Sequence, residues 1–202
     1  MNHIAKKNLG QNFLIDENIL NTIVDIGNIT KNDIVLEVGP GTGNLTEKIL
    51  KKNPKKIVAV EKDKNLVDFF KKKFKSNIEI VNQDILKFSY NELLNKKIII
   101  FGNLPYNIST QILISWIQNN ELKNFCKKFI LMFQKEVADR IIAEHNSKNY
   151  GRLSILTSWK MKVKKIMDIP PSSFKPSPKI KSSLLILEPR SDFYKFRNPK
   201  NL

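Results

Sequence analysis

A single cysteine, Cys126, stands in a chain of 202 residues. One thiol builds neither a disulfide framework nor a cysteine-based zinc site, and no metal is expected. Cys126 precedes an apolar run with no proline before it, so it reads as an inert filler rather than a nucleophile. Long apolar runs are also missing. None approaches the roughly 20 residues that cross a bilayer. Met1-Asn2-His3-Ile4-Ala5-Lys6-Lys7 runs into polar and turn residues without the apolar core of a signal peptide. A cytoplasmic protein that does not enter membranes is the expectation. The two histidines, His3 and His145, lie outside every motif. Acid is short as well: 19 acidic residues face 35 basic ones, for a net charge of +16. A polyanionic partner follows, with nucleic acid ahead of membrane. Arginine is scarce, at 140, 152, 190 and 197 only, so the other 31 basic residues are lysines. With Asn and Ile also abundant, an AT-rich genome accounts for part of that bias. The lysine clusters are more telling than the sum. Lys6-Lys7 precedes the first motif, and Lys175, Lys179 and Lys181 surround the last. Lys71-Lys72-Lys73-Phe74-Lys75 reads as the solvated end of a helix, where its dipole favours cations.

What is present is a core: 41% of the residues are hydrophobic, enough for one domain with a small appendage. Strand and helix patterns alternate. Asp16 is placed to cap a helix carrying Ile19, Leu20, Ile23 and Val24. Ile34–Val38 is a strand, Gly39-Pro40-Gly41-Thr42-Gly43 a tight loop, and Asn44 to Lys51 a helix. Lys56–Val60 is a second strand ending at Glu61, and Lys64 to Lys75 a helix. Ile78–Val81 is a third strand ending near Asp84, and Phe88 to Leu94 is compatible with a short helix. Ile98–Phe101 is a fourth strand, Thr110 to Gln118 a helix, Phe129–Phe133 a fifth strand and Lys135 to Ala143 a helix. Right-handed crossovers make this a parallel, doubly wound sheet. After Tyr150-Gly151-Arg152 the rhythm changes. Leu153 to Trp159 fits helix or strand, and Val163 to Ile169 and Ser183 to Leu187 read as strands around a proline-rich loop, Pro170 to Lys179. The polar tail after Pro189 has no periodicity and reads as a linker or a cut end.

Four strand ends carry chemistry. Gly39-x-Gly41-x-Gly43 is not the dinucleotide spacing, because Asn44 stands where the third glycine belongs. Glu61 ends the second strand, placed for both hydroxyls of a ribose. Asp84 ends the third, placed for an adenine amine. Gly39 and Gly41 leave room for an amino-acid moiety. Adenine, ribose, amino acid and no phosphate make S-adenosylmethionine the cofactor expected. Asn103-Leu104-Pro105-Tyr106 follows the fourth strand, at the edge where open parallel sheets bind ligands. The Asn103 side-chain oxygen and the Leu104 carbonyl can accept both protons of an exocyclic amine, Pro105 stiffens the backbone, and Tyr106 offers a face for a planar ring.

These motifs, in this order, resemble the bacterial small-subunit rRNA adenine N6-dimethyltransferases. The carriers are Asn8-Leu9-Gly10-Gln11-Asn12-Phe13-Leu14, Glu37-Val38-Gly39-Pro40-Gly41, Asn103 to Thr110, Gln134-Lys135-Glu136-Val137, Tyr150-Gly151-Arg152-Leu153-Ser154 and Phe174-x-Pro176-x-Pro178-Lys179. The resemblance runs from Asn8 to about Pro189. It implies an α/β class I methyltransferase fold, Rossmann-like, with a mostly parallel seven-stranded sheet containing one antiparallel strand. Residues 1–190 would form the catalytic domain. Residues 191–202 would be a tail or the start of the family's C-terminal helical domain, which is missing here. Asn12 and Leu14 would close over the cofactor. Gly39 and Gly41 would border its methionine moiety, Glu61 would take the ribose, Asp84 the adenine, and Asn103 would line the meeting point with the target. Asn103, Leu104, Pro105, Tyr106 and Phe174 form the implied catalytic set, in which Tyr106 stacks on a flipped adenine. Phe174 is either the second wall of that base site or a core anchor for the proline loop. The implied activity is dimethylation of two adjacent adenosines in a hairpin near the 3′ end of the small-subunit rRNA, by a monomer, coupled to maturation of the 30S subunit. A ribosome-assembly factor whose methylation is secondary is the alternative, and a nicotinamide dehydrogenase is disfavoured by the loop spacing.

Overall fold

The computed structural model describes residues 11–74 and 78–194. The N-terminal Lys6-Lys7 and Asn8-Leu9-Gly10 lie outside the described residues, as do Lys75 and the end of the tail. The elements run β1 (Phe13–Leu14), α1 (Glu17–Gly27), β2 (Ile34–Val38), α2 (Asn44–Lys51), β3 (Lys56–Glu61), α3 (Lys64–Lys73) and β4 (Ile78–Asn82). They continue with β5 (Ile98–Asn103), α4 (Ser109–Gln118), α5 (Leu122–Phe125), β6 (Cys126–Gln134), α6 (Lys135–Ile141) and α7 (Arg152–Lys160). Last come β7 (Met161–Ile169), β8 (Phe174–Lys175) and β9 (Ser182–Pro189).

Seven strands form one sheet in the order β4-β3-β2-β5-β6-β9-β7. The first five pair in parallel, and β9 is antiparallel to both its neighbours. The implied mostly parallel sheet with one reversed strand is therefore present. Side chains alternate strictly across it, as the pleat requires. Val35, Ile57, Ile99, Phe101, Ile130 and Met132 face α1 and α2 on one side. Leu36, Val58, Ile98, Ile100, Phe129 and Leu131 face α4, α5 and α7 on the other. With both faces covered, the central strands read as nearly continuous apolar runs, with Glu37 in β2 an exception. Asp16 caps α1 as its position suggests, accepting from the Asn18 and Ile19 amides at 3.1 and 3.2 Å.

The structure settles one open reading and differs from the sequence expectation in two places. Leu153 to Trp159 resolves as helix, within α7. Phe88 to Leu94 is not one short helix: 3-10 turns occupy Ile85–Lys87 and Asn91–Leu93, with Phe88 extended between them. Asp84 starts the first turn by accepting from the Leu86 amide at 3.0 Å. The Tyr90 ring then stacks on Phe125, 4.6 Å away, and that tertiary contact outweighs local helix preference. A second sheet also appears. β1 pairs antiparallel with β8, Phe13 opposite Lys175 and Leu14 opposite Phe174. The N-terminal segment and the proline-rich loop are thereby tied together.

The chain order reverses between β2 and β5, the two central neighbours. Open α/β sheets bind ligands beyond the carboxyl ends of such a pair. The glycine loop follows β2 there, Glu61 ends β3, Asp84 follows β4 and Asn103 ends β5. Among the described residues no helix is long and apolar enough to cross a membrane.

Candidate active site

A cavity of about 200 Å³ opens at this edge. Asn12, Gly39, Gly41, Glu61, Asp84, Asn103, Leu104, Pro105 and Tyr106, all singled out from sequence, line it. Leu14 does not. Its side chain is buried, facing a smaller neighbouring cavity of about 30 Å³.

The glycine loop needs its glycines for two separate reasons. Gly39 and Gly41 hold φ of +67° and +57°, which side chains with a Cβ adopt only under strain. At Gly39 a Cβ would meet nothing within 4 Å, so the backbone lies open to the cavity. At Gly41 a Cβ would come within 2.8 Å of the Phe13 ring. Phe13 therefore lies flush against the loop. Asn44, the residue that breaks the dinucleotide spacing, donates from Nδ2 to the Leu14 carbonyl at 2.8 Å. Its side chain pins the N-terminal segment across the loop.

Two carboxylates are fixed at adjacent strand ends. Glu61 accepts from the Asp63 amide through Oε1 at 2.8 Å and from the Gly41 amide through Oε2 at 3.4 Å. Burial raises its pKa and those amides work against the rise. Each oxygen keeps a lone pair for a ligand hydroxyl. Asp84 binds Lys62 Nζ at 2.8 Å through Oδ2. That bond leads in holding its carboxyl below the usual value.

Asn103 is the pivot. Its Nδ2 donates to the Asn12 carbonyl at 2.7 Å, which leaves Oδ1 as the end turned elsewhere. Oδ1 forms no hydrogen bond among the described residues and is not buried. The Leu104 side chain is anchored in the core at 1% exposed, and its carbonyl likewise accepts nothing from the described residues. Two consecutive residues that line the cavity thus each carry an unengaged acceptor. Tyr106, half-buried, lines the same cavity, with its hydroxyl 2.6 Å from Ser182 Oγ.

Phe174 is the correction. It is 3% exposed, belongs to the buried cluster with Leu14, Met132 and Leu184, and lines neither cavity. Of its two readings, the position favours the core anchor. Its backbone pairing with Leu14 needs the ring to pack inward on this side of the small sheet.

Three further residues belong to the site without a role legible in their motifs. Phe13 stood in a quoted motif without a role. Ser182 was placed outside the last strand. Glu37, inside β2, is 2% exposed and faces the smaller cavity. Burial pushes its pKa up to about 7, against the Thr46 hydroxyl that donates to Oε2 at 2.7 Å, with the nearby Glu61 charge adding to the rise. The available signal was a carboxylate interrupting Ile34-Val35-Leu36-x-Val38, an apolar run with no other charge.

The model of the ribosomal RNA adenine dimethylase family matches residues 2–198. The ribosomal RNA small subunit methyltransferase A of Pelagibacter ubique is 58% identical over 198 residues, covering 98% of this chain and 75% of that protein. The protein of the same name from the Wolbachia of Brugia malayi is 43% identical, covering 91% and 70%. Among solved structures, a dimethyladenosine transferase from Plasmodium falciparum superposes with a TM-score of 0.79 at 34% identity. That alignment takes in 88% of this chain and spans 63% of the other. With the class I methyltransferase fold, the cavity at the switch point and these relatives in agreement, the chain belongs to the ribosomal RNA adenine dimethylase family.

Proposed function

We propose that this protein transfers methyl groups from S-adenosylmethionine to the N6 amines of two adjacent adenosines in a hairpin near the 3′ end of small-subunit rRNA. The observation that carries the reading is the pair of unengaged acceptors, Asn103 Oδ1 and the Leu104 carbonyl, beside the Tyr106 ring. S-adenosylmethionine is the cofactor of this fold and family. When bound, it supplies an electrophilic methyl on a sulfonium.

The residues present suit that cofactor. Gly39 leaves backbone open where its missing Cβ would sit, in keeping with an amino-acid moiety beside it. Glu61 and Asp84 present carboxylate oxygens to a ribose and an exocyclic amine, and Asn12 closes over them from the N-terminal segment. Phosphate would meet the Glu61 charge behind the loop instead of a bare amide nest.

The chain's own part is positional. The lone pair of adenine N6 is delocalised into its ring. Two acceptors that fit a pyramidal amine better than a planar one stabilise the transition state selectively. Asn12 keeps the acceptor end of Asn103 turned away from itself by occupying Nδ2. Tyr106 offers its ring to a flipped adenine, whose extrusion costs a few kcal/mol. Stacking returns roughly 1–3 kcal/mol. No general base is required, because the alkylated amine is acidic and sheds its proton readily. Two methylations per base require only room for the monomethyl product.

In this reading residues 1–190 are the catalytic domain, residues 191–202 lead out of it, and the enzyme acts in the cytoplasm as a monomer on a precursor of the 30S subunit. The test is transfer of radiolabelled methyl to unmethylated small subunits, with the modified nucleoside identified by mass. N6,N6-dimethyladenosine is expected; any other product overturns the assignment. An Asn103→Ala variant that fails to transfer yet restores subunit maturation would favour the assembly-factor alternative.

A further inference from the structure

Ser182 opens β9 and has no exposed surface. Two strands clamp it: Gln134 of β6 is its register partner on one side and Ile169 of β7 on the other. The next side chain, Ser183, donates to Asp168 Oδ1 at 2.6 Å. Asp168 is paired in turn with Lys165 Nζ at 2.7 Å. The amino end of β9 is therefore among the most constrained points at this edge of the sheet.

Tyr106 is anchored differently. Its backbone lies in the turn after Pro105, between β5 and α4. The first side-chain torsion swings the hydroxyl and the second only spins the ring about its Cγ–Oη axis, so an anchor at the hydroxyl fixes the direction of that axis. That anchor is Ser182 Oγ, at 2.6 Å. Burial raises the phenol pKa, so the hydroxyl keeps its proton. A phenyl ring stacks on a base as well as a phenol does, so stacking alone leaves the hydroxyl without a purpose. The bond joins residues 76 positions apart in the chain, one on the wall of the cavity and one in the framework.

We propose that Ser182 is a positioning residue for methyl transfer: its hydrogen bond to Tyr106 holds the long axis of the aromatic ring that receives the target adenine beside Asn103. The inference rests on the stacking role of Tyr106 given above. A ring tethered at both ends meets the incoming base without reorganising, and holding reactants in line is where enzymes gain most when the electrophile is already strong. Without the tether the ring still offers its face, at a wider range of angles.

Four variants decide the matter: Ser182→Ala, Tyr106→Phe, the double variant, and Tyr106→Ala. Each is assayed by single-turnover methyl transfer to unmethylated small subunits and by calorimetry with S-adenosylmethionine. Ser182→Ala and Tyr106→Phe should each slow transfer about tenfold, leave cofactor affinity unchanged, and give a double variant no slower than either single one. A Tyr106→Phe enzyme at wild-type speed, or losses that multiply in the double variant, overturns the proposal. Tyr106→Phe contains the native Ser182, so the result holds even if Ser182→Ala folds poorly. Slow Tyr106→Ala with full-speed Tyr106→Phe defeats the tether alone; full-speed Tyr106→Ala defeats the stacking role beneath it.

Discussion

The Asn103 side-chain amide donates to the Asn12 carbonyl at 2.7 Å, across 91 positions of sequence. The bond joins the end of β5 to the N-terminal segment, and both residues line the cavity. In the proposed reading, one side chain both orients the acceptor for the target amine and holds down the N-terminal segment.

Removing it should damage both. Asn103→Ala should lower methyl transfer by about 10²–10³-fold, the usual cost of losing one preorganised polar group, and weaken cofactor binding measured by calorimetry. Asn103→Asp keeps the acceptor but sets a carboxylate against the Asn12 carbonyl. It should lose cofactor affinity at least as severely, and equal affinity to wild type would refute the link.

Glu37 predicts a pH dependence of stability for the free protein. Its folded pKa is about 7 against an ordinary value of 4.5, so the folded state holds a proton that the unfolded state releases between those limits. Stability therefore falls as pH rises from about 4.5 to 7 and is flat above. Glu37→Gln, neutral throughout and still able to accept from Thr46, should escape this. Its stability advantage over wild type should grow by roughly 2–3 kcal/mol between pH 5 and pH 8. Denaturant titrations at the two pH values measure it, and a constant difference would rule it out.

Gly39→Ala and Gly41→Ala separate backbone strain from steric closure. Both force an alanine into the left-handed region, at about 1 kcal/mol. Only at Gly41 does the new methyl meet the Phe13 ring. Gly41→Ala should be the less stable of the two without cofactor and should expose residues 11–14 to hydrogen exchange. Equal protection in both variants would contradict the packing of Phe13 on the loop.

Phe174 tests its own reassignment. As a core anchor, Phe174→Ala should cost about 3–5 kcal/mol of stability, while Phe174→Leu should fold and retain transfer within a few fold. A stable Phe174→Leu protein that binds cofactor but is inactive would return the ring to the base site.

Much of this was legible because it is local. The apolar run Ile98–Phe101, the small Gly102 and the stop at Pro105 placed a strand end beside Asn103 without reference to the rest of the chain. The same holds for the loop after Val38, and for Glu61 and Asp84, where strand length alone fixes the edge. What escaped is made by distant partners. β1 and β8 are two residues each, too short for any periodicity, and exist only because they pair with one another. The inward turn of Phe174 follows from that pairing. Ser182 met Tyr106 through a strand whose start was read one residue late. Phe88 to Leu94 had an acceptable helical pattern, but Tyr90 had a better use against Phe125.

The reversal of β9 has a further consequence. A parallel strand there would have delivered Pro170 to Lys181 to the far rim of the sheet. Running the other way, it brings that loop to the rim that carries the cavity, while the glycine turn and both carboxylates come from the opposite half of the sheet. The two sides of one rim are thus supplied by separate stretches of chain, so substitutions in the proline-rich loop should leave the glycine turn and both carboxylates in place.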